Sequence, residues 1–498
     1  MQLDRRSVLI GGGAAIGIAA LGSGAVYFGK QLFGPQVAAG TAGEPEIIRS
    51  SGGVLSVDLT AKHTIVKIDG VDVKMMTYNG SLPGPTWVAN PGDTIKVNFK
   101  NELSESTNLH AHGLHVSPEG NSDNVMIEIK SGESFQYEYV LAEDHPTGMS
   151  WYHPHLHGAA APQLFAGMYG AIYIEQPGAN PLNGERVLVI SDVDFDDAGN
   201  ILEPTMMYQM MGREGKNILV NGQLTPNYGV EAGATERWRI FNACSSRFLH
   251  LHWANGRAQI AAMDNGSYPV PVDTEEVILA PGNRAELLMT IGDKPISLTF
   301  DSVAHPDMMV DPVIGDVLAT FTPAGAATPA VYSPVAFVPR DIRGDKVAAK
   351  RTFTLAMPTM AQMMSGDGGG MSGMGDMKGM HHGGGMGNMM NGMFTINGES
   401  FDPLKVNTTV ALDTIEEWTI VNTSGMNHPF HLHVWPMQIV SIGGKPVSDV
   451  KWQDVVTVPF NSEVVVRIAF EDFAGKTMYH CHILDHEDAG MMAQIEAV

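Results

Sequence analysis

The amino-acid sequence predicts an all-β protein built from three tandem β-sandwiches. Three stretches, 79–101, 221–242 and 397–422, share a pattern in which an Asn-Gly pair and a proline precede an alternating apolar run that ends at an asparagine. Period-two alternation, as in "TIKVNF", "TERWRIF" and "EEWTIV", is typical of half-buried strands. Between these stretches, short Val, Ile, Tyr and Phe runs are separated by Gly, Pro, Asn and Asp, which indicates a β-sandwich around each repeat.

The repeats divide the chain into three domains, and the length of 498 residues fits about three domains of roughly 150 residues each. Residues 357–393 contain 12 of the 31 methionines and many glycines. Such a composition cannot build a core, so we predict a mobile loop inserted in the third domain, with a short helix near 357–364. The predicted segments are a signal and leader at 1–45, domains at 46–178, 179–325 and 350–498, and a Pro/Ala-rich linker at 326–349.

The N-terminus has the pattern of a twin-arginine export signal. Arg5 and Arg6 precede a weakly apolar, Gly/Ala-rich run, and small residues at 36–43 offer a cleavage site. We therefore expect the twin-arginine export machinery as a partner and a periplasmic or otherwise exported location. An uncleaved membrane anchor is the alternative, because positions 8–29 are long enough to span a bilayer.

The charge and the cysteine count restrict the partners and the cross-links. The 54 acidic and 30 basic residues give a net charge of −24, which repels a phosphate backbone, so we expect no nucleic-acid partner. Only two cysteines occur, Cys244 and Cys481. We expect no disulfide between them, because the residues around Cys481 give its sulfur another role. We also expect the chain to act as a monomer.

The histidines are concentrated in four short motifs. In an extended strand, residues i and i+2 point to the same side about 6 to 7 Å apart, so each H-x-H can direct two imidazoles into one pocket. Four such pairs predict a metal cluster, whereas His250 and His252 in "FLHLHW" have no partner motif and fit a surface pair. The four pairs are His110 and His112, His153 and His155, His431 and His433, and His480 and His482.

The tripeptide His480-Cys481-His482 has a further property. Strand alternation sends the Cys481 sulfur to one side and the two imidazoles to the other, so that one tripeptide can join two copper sites through covalent bonds. His486 and Met491 follow five and ten residues after Cys481. With a second histidine they would complete the His2Cys set with a weak axial methionine that is typical of a blue copper. The alternative is a chance cluster of histidines on a solvated hairpin, which the spacing disfavours.

The motifs together resemble those of the three-domain multicopper oxidases, most of all the bacterial periplasmic cuprous oxidases of the copper-efflux type and the bacterial laccases. The resemblance covers essentially the whole mature chain. It implies cupredoxin-like Greek-key β-sandwich domains with the methionine-rich loop inserted in the third. The matching segments are H-x-H-G at 110–113, W-x-H-x-H at 151–155, H-P-x-H-x-H at 428–433 and H-C-H-x3-H-x4-M at 480–491.

The resemblance implies four copper ions as cofactors, in two sites that Cys481 would connect for electron transfer. A type 1 copper would occupy the first, called here the cysteine site, and a type 2 copper and a type 3 pair would occupy the second, called here the histidine site. The cysteine site consists of His428, Cys481, His486 and the axial Met491. The histidine site consists of the type 2 ligands His110 and His431 and the type 3 ligands His112, His153, His155, His433, His480 and His482.

Three carboxylates take roles by the same resemblance. Glu487 and Asp123 occupy the positions of a proton relay to the histidine site, and Asp454 in "WQDVV" resembles the carboxylate that supports a type 1 histidine. A plain surface or turn carboxylate is the alternative for each.

The implied activity is an oxidase that couples four one-electron oxidations to the reduction of O2 to water. The methionine-rich loop favours Cu(I) as the electron donor, because thioether sulfur is a soft ligand that suits Cu(I), and this donor implies a role in copper tolerance. At the substrate-copper positions of cuprous oxidases, two methionines are kept, and Gln362 and Ser424 stand where two aspartates are expected. The candidate substrate ligands are Met357, Met360, Met363 and Met426.

Other functions stay open at this point. A laccase-like oxidase of phenols or aromatic amines would use the same copper ligands. A copper-sequestering protein would bind the metal without turnover, and a chain that keeps the fold but has lost the metals is disfavoured by the complete ligand set.

Overall fold

The computed structural model describes residues 44–178, 180–303, 313–333, 338–358 and 393–498, and strands form most of its regular structure. The prediction of an all-β fold is confirmed. The export signal and the methionine-rich loop from 359 to 392 lie outside the described residues, and so does the predicted helix near 357–364 except for its first two positions. Among the residues that the structure describes, no helix is long and apolar enough to cross a membrane.

In the described residues 44–178, nine strands form two sheets. One sheet has the strand order β1-β4-β9-β8-β6 and the other has the order β3-β2-β5-β7. Their inner faces enclose a core that contains Trp87, Tyr137 and Tyr152. The strands are β1 (Ile47–Arg49), β2 (Val54–Ile68), β3 (Val71–Tyr78), β4 (Thr86–Ala89), β5 (Thr94–Asn101), β6 (His110–His112), β7 (Ser134–Val140), β8 (Gly148–His153) and β9 (Gly170–Ile174).

Within the ranges 180–303 and 313–333, which the structure describes, eleven strands form the second pair of sheets, with the orders β11-β10-β13-β18-β15-β16 and β12-β20-β19-β14-β17. Trp238 and Phe321 stack in the core between them, with ring centroids 4.0 Å apart. The strands are β10 (Gly184–Val193), β11 (Asn217–Val220), β12 (Asn227–Glu231), β13 (Thr235–Asn242), β14 (Leu249–Ala254), β15 (Gly256–Met263), β16 (Gly266–Thr274), β17 (Glu276–Leu279), β18 (Arg284–Ile291), β19 (Ile296–Ser302) and β20 (Asp316–Ala324).

In the described ranges 338–358 and 393–498, twelve strands form the third pair of sheets. One sheet has the order β22-β21-β24-β30-β26-β27, with β28 also paired to β26, and the other has the order β23-β32-β31-β25-β29. The three pairs of sheets occupy the three predicted domains, whose exact boundaries stay a prediction. The strands are β21 (Ala349–Ala356), β22 (Thr395–Ile396), β23 (Val406–Val410), β24 (Thr414–Asn422), β25 (His428–Leu432), β26 (Met437–Ile442), β27 (Lys445–Pro446), β28 (Trp452–Gln453), β29 (Val455–Val458), β30 (Ser462–Phe470), β31 (Gly475–Cys481) and β32 (Met492–Ala497).

The Asn-Gly pairs make the same turn in all three repeats. Asn79, Asn221 and Asn397 have φ values of 56°, 50° and 56°, and the glycines that follow them have φ values of 80°, 75° and 77°. Positive φ at both central residues defines the two-residue hairpin turn that matches the twist of the flanking strands, and Asn-Gly adopts it most readily.

The asparagines that end the repeated strands also share one role. In each case the side-chain Nδ2 donates to two backbone carbonyls, and the Oδ1 accepts from the backbone N–H two residues later. In the third repeat, Asn422 donates to Met426 and Val458 at 2.8 and 3.0 Å, and so fixes the loop that leads to His428.

The described residues contain three short helices. The helix Leu484–Asp488 contacts both of the others, although it belongs to the third domain. The helices are Ala160–Phe165, Met206–Met211 and Leu484–Asp488.

Candidate metal centre

Two strand pairs, one in the first domain and one in the third, carry the histidine site. In the first, β6 and β8 are antiparallel and place His110 opposite His153. In the third, β25 and β31 are antiparallel and place His431 opposite His480. The i, i+2 alternation then brings the four predicted pairs to the junction of the two domains, where all eight imidazoles are buried.

The two predicted type 2 ligands are each anchored through Nδ1. His110 Nδ1 lies 3.0 Å from both carboxylate oxygens of Asp123, and His431 Nδ1 donates to the Asp454 carbonyl at 2.7 Å. The Nε2 atoms of His110 and His431 are buried and have no hydrogen-bond partner. A buried nitrogen without a partner needs an explanation, and a metal ion bound to both supplies one.

Three predicted type 3 ligands converge through Nε2. His480 Nε2 lies 3.1 Å from His155 Nε2 and 3.1 Å from His433 Nε2. Two nitrogens that each lie about 2 Å from one metal ion in a tetrahedral arrangement are about 3.3 Å apart. The opposite nitrogen of His480, Nδ1, donates to the Cys481 carbonyl at 3.0 Å and is unavailable to the metal.

The other three type 3 ligands form a second group. His112 Nδ1 lies 3.4 Å from His153 Nε2, and His153 Nδ1 donates to the Pro154 carbonyl at 2.9 Å. Both ring nitrogens of His482 are buried without a hydrogen-bond partner, and the ring lies 4.9 Å from the His112 ring. Gly282 makes room for it, because a Cβ at this position, which has a φ of 87°, would lie 3.0 Å from His482 Nε2.

Burial holds these imidazoles in the form that binds metal. It lowers the pKa of His153 to about 3 and that of His155 to about 4, and burial together with neighbouring rings holds the pKa of His110 and His431 well below the usual value. A neutral imidazole has a lone pair for a metal ion, so the donor set fits copper.

The cysteine site lies on the other side of β31. Cys481 Sγ lies 3.3 Å from His428 Nδ1 and 3.8 Å from His486 Nδ1, and all three residues are completely buried. The predicted opposition of the Cys481 sulfur and its flanking imidazoles is confirmed. Burial raises the pKa of the Cys481 thiol, and coordination of a metal ion would deprotonate it.

A hydrogen bond at Nε2 orients each imidazole of the cysteine site. His428 Nε2 lies 2.8 Å from Ser424 Oγ, and His486 Nε2 donates to the Met210 carbonyl at 2.9 Å. Their Nδ1 atoms therefore face the sulfur. This tautomer and orientation are those that a His2Cys copper site requires.

Backbone hydrogen bonds of Met491 connect it to both His486 and Cys481. Its N–H donates to the His486 carbonyl at 2.8 Å, its carbonyl accepts from Cys481 N at 3.0 Å, and its side chain is completely buried in the same core. Met426 is buried in this core and Met357 packs against it, whereas Met360 and Met363 lie outside the described residues. Both cysteines are free, so the absence of a disulfide between them is confirmed.

The two predicted relay carboxylates contact the histidine site. Glu487 Oε2 lies 3.0 Å from His480 Nδ1 and Oε1 lies 3.6 Å from His155 Nδ1. Burial alone would raise the pKa of Glu487, but these two imidazoles outweigh it and lower the pKa to about 2. Burial raises the pKa of Asp123 to about 7. The relay role itself stays a prediction.

The prediction that Asp454 supports a type 1 histidine is wrong. Its Oδ1 lies 3.0 Å from His112 Nε2, its carbonyl accepts from His431, and both carboxylate oxygens accept from the Arg284 guanidinium at 2.6 Å. Asp454 therefore supports the histidine site and not a type 1 histidine. The strand register is the reason, because β29 places Val455 opposite His431 and Val458 opposite His428, so that Asp454 lies at the end of the strand far from His428.

Several residues near the metal centre were missed by the sequence reasoning. Two of them, Asp485 and Asp488, lie on the helix that carries His486. Asp485 binds Arg213 in the second domain. Asp488 accepts from the backbone N–H groups of Gly158 and Ala161 in the first domain. No local pattern marks these contacts. The segment "MMYQMM" at 206–211, by contrast, has a sequence signal in its four methionines.

A cavity of about 570 Å³ lies beside the histidine site at the junction of the three domains. Its lining includes the exposed Val338 and Asp472 at the surface and the buried Asp454 at its inner end. Space therefore extends from the surface to a carboxylate that contacts His112.

The chain matches known proteins over the segments that carry these ligands. Family models described as multicopper oxidase match residues 60–179 and 376–498, which together contain every predicted copper ligand. The multicopper oxidase mco of Staphylococcus aureus is 28% identical over 429 residues, which are 84% of this chain and 83% of that protein.

Two solved structures extend the similarity to the fold. A multicopper oxidase from Campylobacter jejuni, described as a metallo-oxidase, has a TM-score of 0.78 and 28% identity, covering 94% of this chain and 96% of its own. A bacterial laccase-like multicopper oxidase, CueO from Ochrobactrum sp., with oxidase activity towards lignin model compounds, has a TM-score of 0.74 and 25% identity, covering 92% of this chain and 100% of its own.

Proposed function

We propose that this chain, which belongs to the multicopper oxidase family and is an oxidoreductase of the laccase and multicopper oxidase type, oxidises Cu(I) to Cu(II) with O2 as the electron acceptor. The proposed cofactors are four copper ions, one at the cysteine site and three at the histidine site. The proposed biological role is copper tolerance.

The observation that carries the choice of substrate is the closure of the cysteine site by methionine. The imidazoles of His428 and His486 are completely buried, so a bulky phenol has no direct contact with either ring. Met210 and Met426 are buried in the core that surrounds Cys481, and Met357 and Met393, at the two ends of the methionine-rich loop, pack against it. A small soft ion suits this surrounding better than an aromatic ring does.

The residues of the chain divide the work between the two sites. Bound copper would supply the one-electron redox chemistry, and the reduction of one O2 to two waters takes four electrons and four protons. Cys481 and the adjacent His480 and His482 provide a path of covalent bonds from one site to the other. Glu487 and Asp123 would relay protons to the histidine site, and the contacts of their carboxylates with the rings of His480 and His110 support this role.

The first test is to load the purified protein with copper, count the metal, record the visible spectrum and follow O2 uptake with Cu(I) as the only reductant. We expect about four coppers per chain, an intense blue band and rapid uptake. A blue protein with four coppers that does not take up O2 with Cu(I) would overturn the substrate and leave the oxidase. A protein without a blue band would overturn Cys481 as a ligand.

The laccase-like alternative is favoured by one observation, the similarity to the Ochrobactrum enzyme with activity towards lignin model compounds. Comparison of kcat/KM for Cu(I) and for a bulky phenol, in the full chain and in a variant that lacks residues 365–392, separates the two functions. We expect the deletion to lower kcat/KM for Cu(I) and to raise it for the phenol. A fall for the phenol with no change for Cu(I) would contradict the proposal.

We also propose export through the twin-arginine pathway, on the basis of Arg5 and Arg6. Replacement of both arginines by lysine should leave the protein in the cytoplasm, as measured by cell fractionation. Normal export of the double variant Arg5→Lys with Arg6→Lys would contradict this route.

A further inference from the structure

We propose that the methionines of the helix Met206–Met211 form a Cu(I)-binding site that delivers electrons to His486. The inference deepens the proposed Cu(I) oxidation and rests on it. The proposed substrate site lies in the second domain, in which the sequence has no copper-ligand motif.

The helix presents its thioethers as a series that runs from the solvent to the interior. Residues i and i+4 of a helix are neighbours on one face, so Met206 lies beside Met210, and Met207 lies beside Met211. Met206 and Met207 are 43% and 49% exposed, Met211 is partly buried, and Met210 is 5% exposed. An ion that is captured at the surface therefore meets further sulfur ligands towards the core.

The inner end of this series adjoins the cysteine site. The Met210 carbonyl accepts the hydrogen bond from His486 Nε2 at 2.9 Å, and the Met210 side chain packs in the core that contains Cys481. The bond connects the helix directly to an imidazole whose other nitrogen faces the Cys481 sulfur.

The end of this helix packs tightly against the residues just before His486. Gly212 follows the helix with a φ of 85°, and a Cβ there would lie 2.8 Å from Ile483 Cγ2 and 2.5 Å from the Ser246 side chain. Arg213 then binds Asp485, the neighbour of His486, through its backbone N–H at 2.7 Å and its guanidinium at 2.8 Å. The helix and the two residues after it therefore contact Ile483, Asp485 and His486, three residues of the segment that carries the predicted type 1 ligand.

Packing alone does not account for methionine at the outer positions. Met206 and Met207 are about half exposed, so they bury little apolar area, and large apolar residues are not needed there for stability. Methionines of the third domain contact the same core, because Met357 and Met393 pack against the cluster that contains Met210. Methionines from two domains therefore pack in and against the core that contains Cys481, whose sulfur faces His486.

The chemistry of thioethers suits the reaction. Uncharged, polarizable sulfur prefers Cu(I) to harder cations, and the net charge of −24 attracts cations to the protein. Each Cu(I) ion that binds loses one electron and becomes Cu(II), and the electron enters the protein at the His486 imidazole. Cu(II) prefers nitrogen and oxygen ligands, so the product leaves the thioethers, and four such ions supply the electrons for one O2.

The test uses the full chain loaded with copper and two Met→Leu variants that differ in position. The first is the double variant Met206→Leu with Met207→Leu, which keeps the size of both side chains and removes both sulfurs. The control is Met126→Leu, because Met126 is 47% exposed but belongs to the first domain and packs against no part of the cysteine-site core. Binding of Ag(I), a soft monovalent ion that replaces Cu(I) without being oxidised, is measured by calorimetry, and KM for Cu(I) is measured by O2 uptake.

We expect the double variant to lose at least one Ag(I) per chain and to raise KM for Cu(I) by about tenfold or more, with a smaller fall in kcat and an unchanged blue band. The control variant should match the parent in Ag(I) count and in KM. An Ag(I) count and a KM that do not change in the double variant overturn the site, and so does an equal loss in the control. If the parent does not oxidise Cu(I), the proposed function fails, and the Ag(I) count still decides whether the helix binds a soft cation.

Discussion

The ion pair between Arg213 and Asp485 gives the sharpest test of how the second domain holds the metal centre. Asp485 accepts from Arg213 through the backbone N at 2.7 Å, through Nη2 at 2.8 Å and through Nε at 3.0 Å. The side chains are only 8% and 4% exposed. Replacement of Arg213 by methionine keeps the backbone bond but leaves a buried carboxylate without its cation.

The size of the effect follows from this geometry. Loss of one partner of a buried ion pair destabilises by about 3 to 5 kcal/mol, and the retained backbone bond places Arg213→Met near the lower limit, at about 3 kcal/mol. Asp485→Asn keeps an oxygen acceptor for the backbone N–H and should lose about 2 kcal/mol. The double variant buries no unpaired charge, so it should be more stable than the sum of the two single changes predicts, by about 2 kcal/mol.

The assay is hydrogen–deuterium exchange at the amides of the helix Leu484–Asp488 and of the residue after it. The N–H groups of His486 and Glu487 donate to the Ile483 carbonyl, and that of Ala489 donates to the Asp485 carbonyl. A loss of 3 kcal/mol in local opening free energy should speed their exchange by about 150-fold.

A matched control is Arg340→Met, because Arg340 forms a pair with Glu471 whose side chains are 52% and 36% exposed. Such a surface pair contributes about 0 to 1 kcal/mol. The reasoning is wrong if exchange in Arg213→Met rises by less than about fivefold, or if Arg340→Met accelerates the same amides equally.

Three further predictions concern the candidate metal ligands and the residues that contact them. In the copper-free protein, burial lowers the pKa of His153 from 6.5 to about 3. Between these pH values the unfolded state binds one more proton than the folded state, so the free energy of unfolding falls as the pH falls. His153→Gln should reduce this pH slope by about 1.4 kcal/mol per pH unit, measured by urea unfolding, and an unchanged slope would contradict the prediction. Ser424→Ala removes the hydroxyl 2.8 Å from His428 Nε2 and should weaken copper retention at the cysteine site by about tenfold, measured by chelator competition, whereas Ser424→Thr should retain it; equal retention in both variants would rule out the hydroxyl. Gly282→Ala combines a positive φ of 87° with a Cβ 3.0 Å from His482 Nε2, so it should lower the copper count at the histidine site while the blue band persists, and a full count would show that the His482 ring can move aside.

The convergence of the predicted copper ligands followed from the sequence because the geometry within each motif is local. Alternation in a strand fixes the opposite directions of Cys481 and its flanking histidines, and the i, i+2 spacing fixes each H-x-H pair. The turns at the Asn-Gly pairs are equally local, because Asn and Gly adopt the positive φ values that this turn requires most readily, as at Asn79 and Gly80.

The features that the sequence did not predict depend on contacts between distant segments. The partner of Asp454 depends on the register of β29 against β25 and on Arg284, 170 residues away in the chain. The bond between Asp485 and Arg213 joins two domains across 272 residues. No pattern within a short window of sequence carries information of this kind.

The helix Leu484–Asp488 restricts how the chain can change in length. Four successive residues on it have different partners: Asp485 binds the second domain, His486 faces Cys481, Glu487 lies between two imidazoles of the histidine site, and Asp488 binds the first domain. Each residue of a helix is rotated by about 100° from the one before it. One inserted or deleted residue would therefore turn every later side chain away from its partner at once. Insertions are tolerated in many surface loops, but this segment is a fixed spacer, and its length is as constrained as the identity of its ligands.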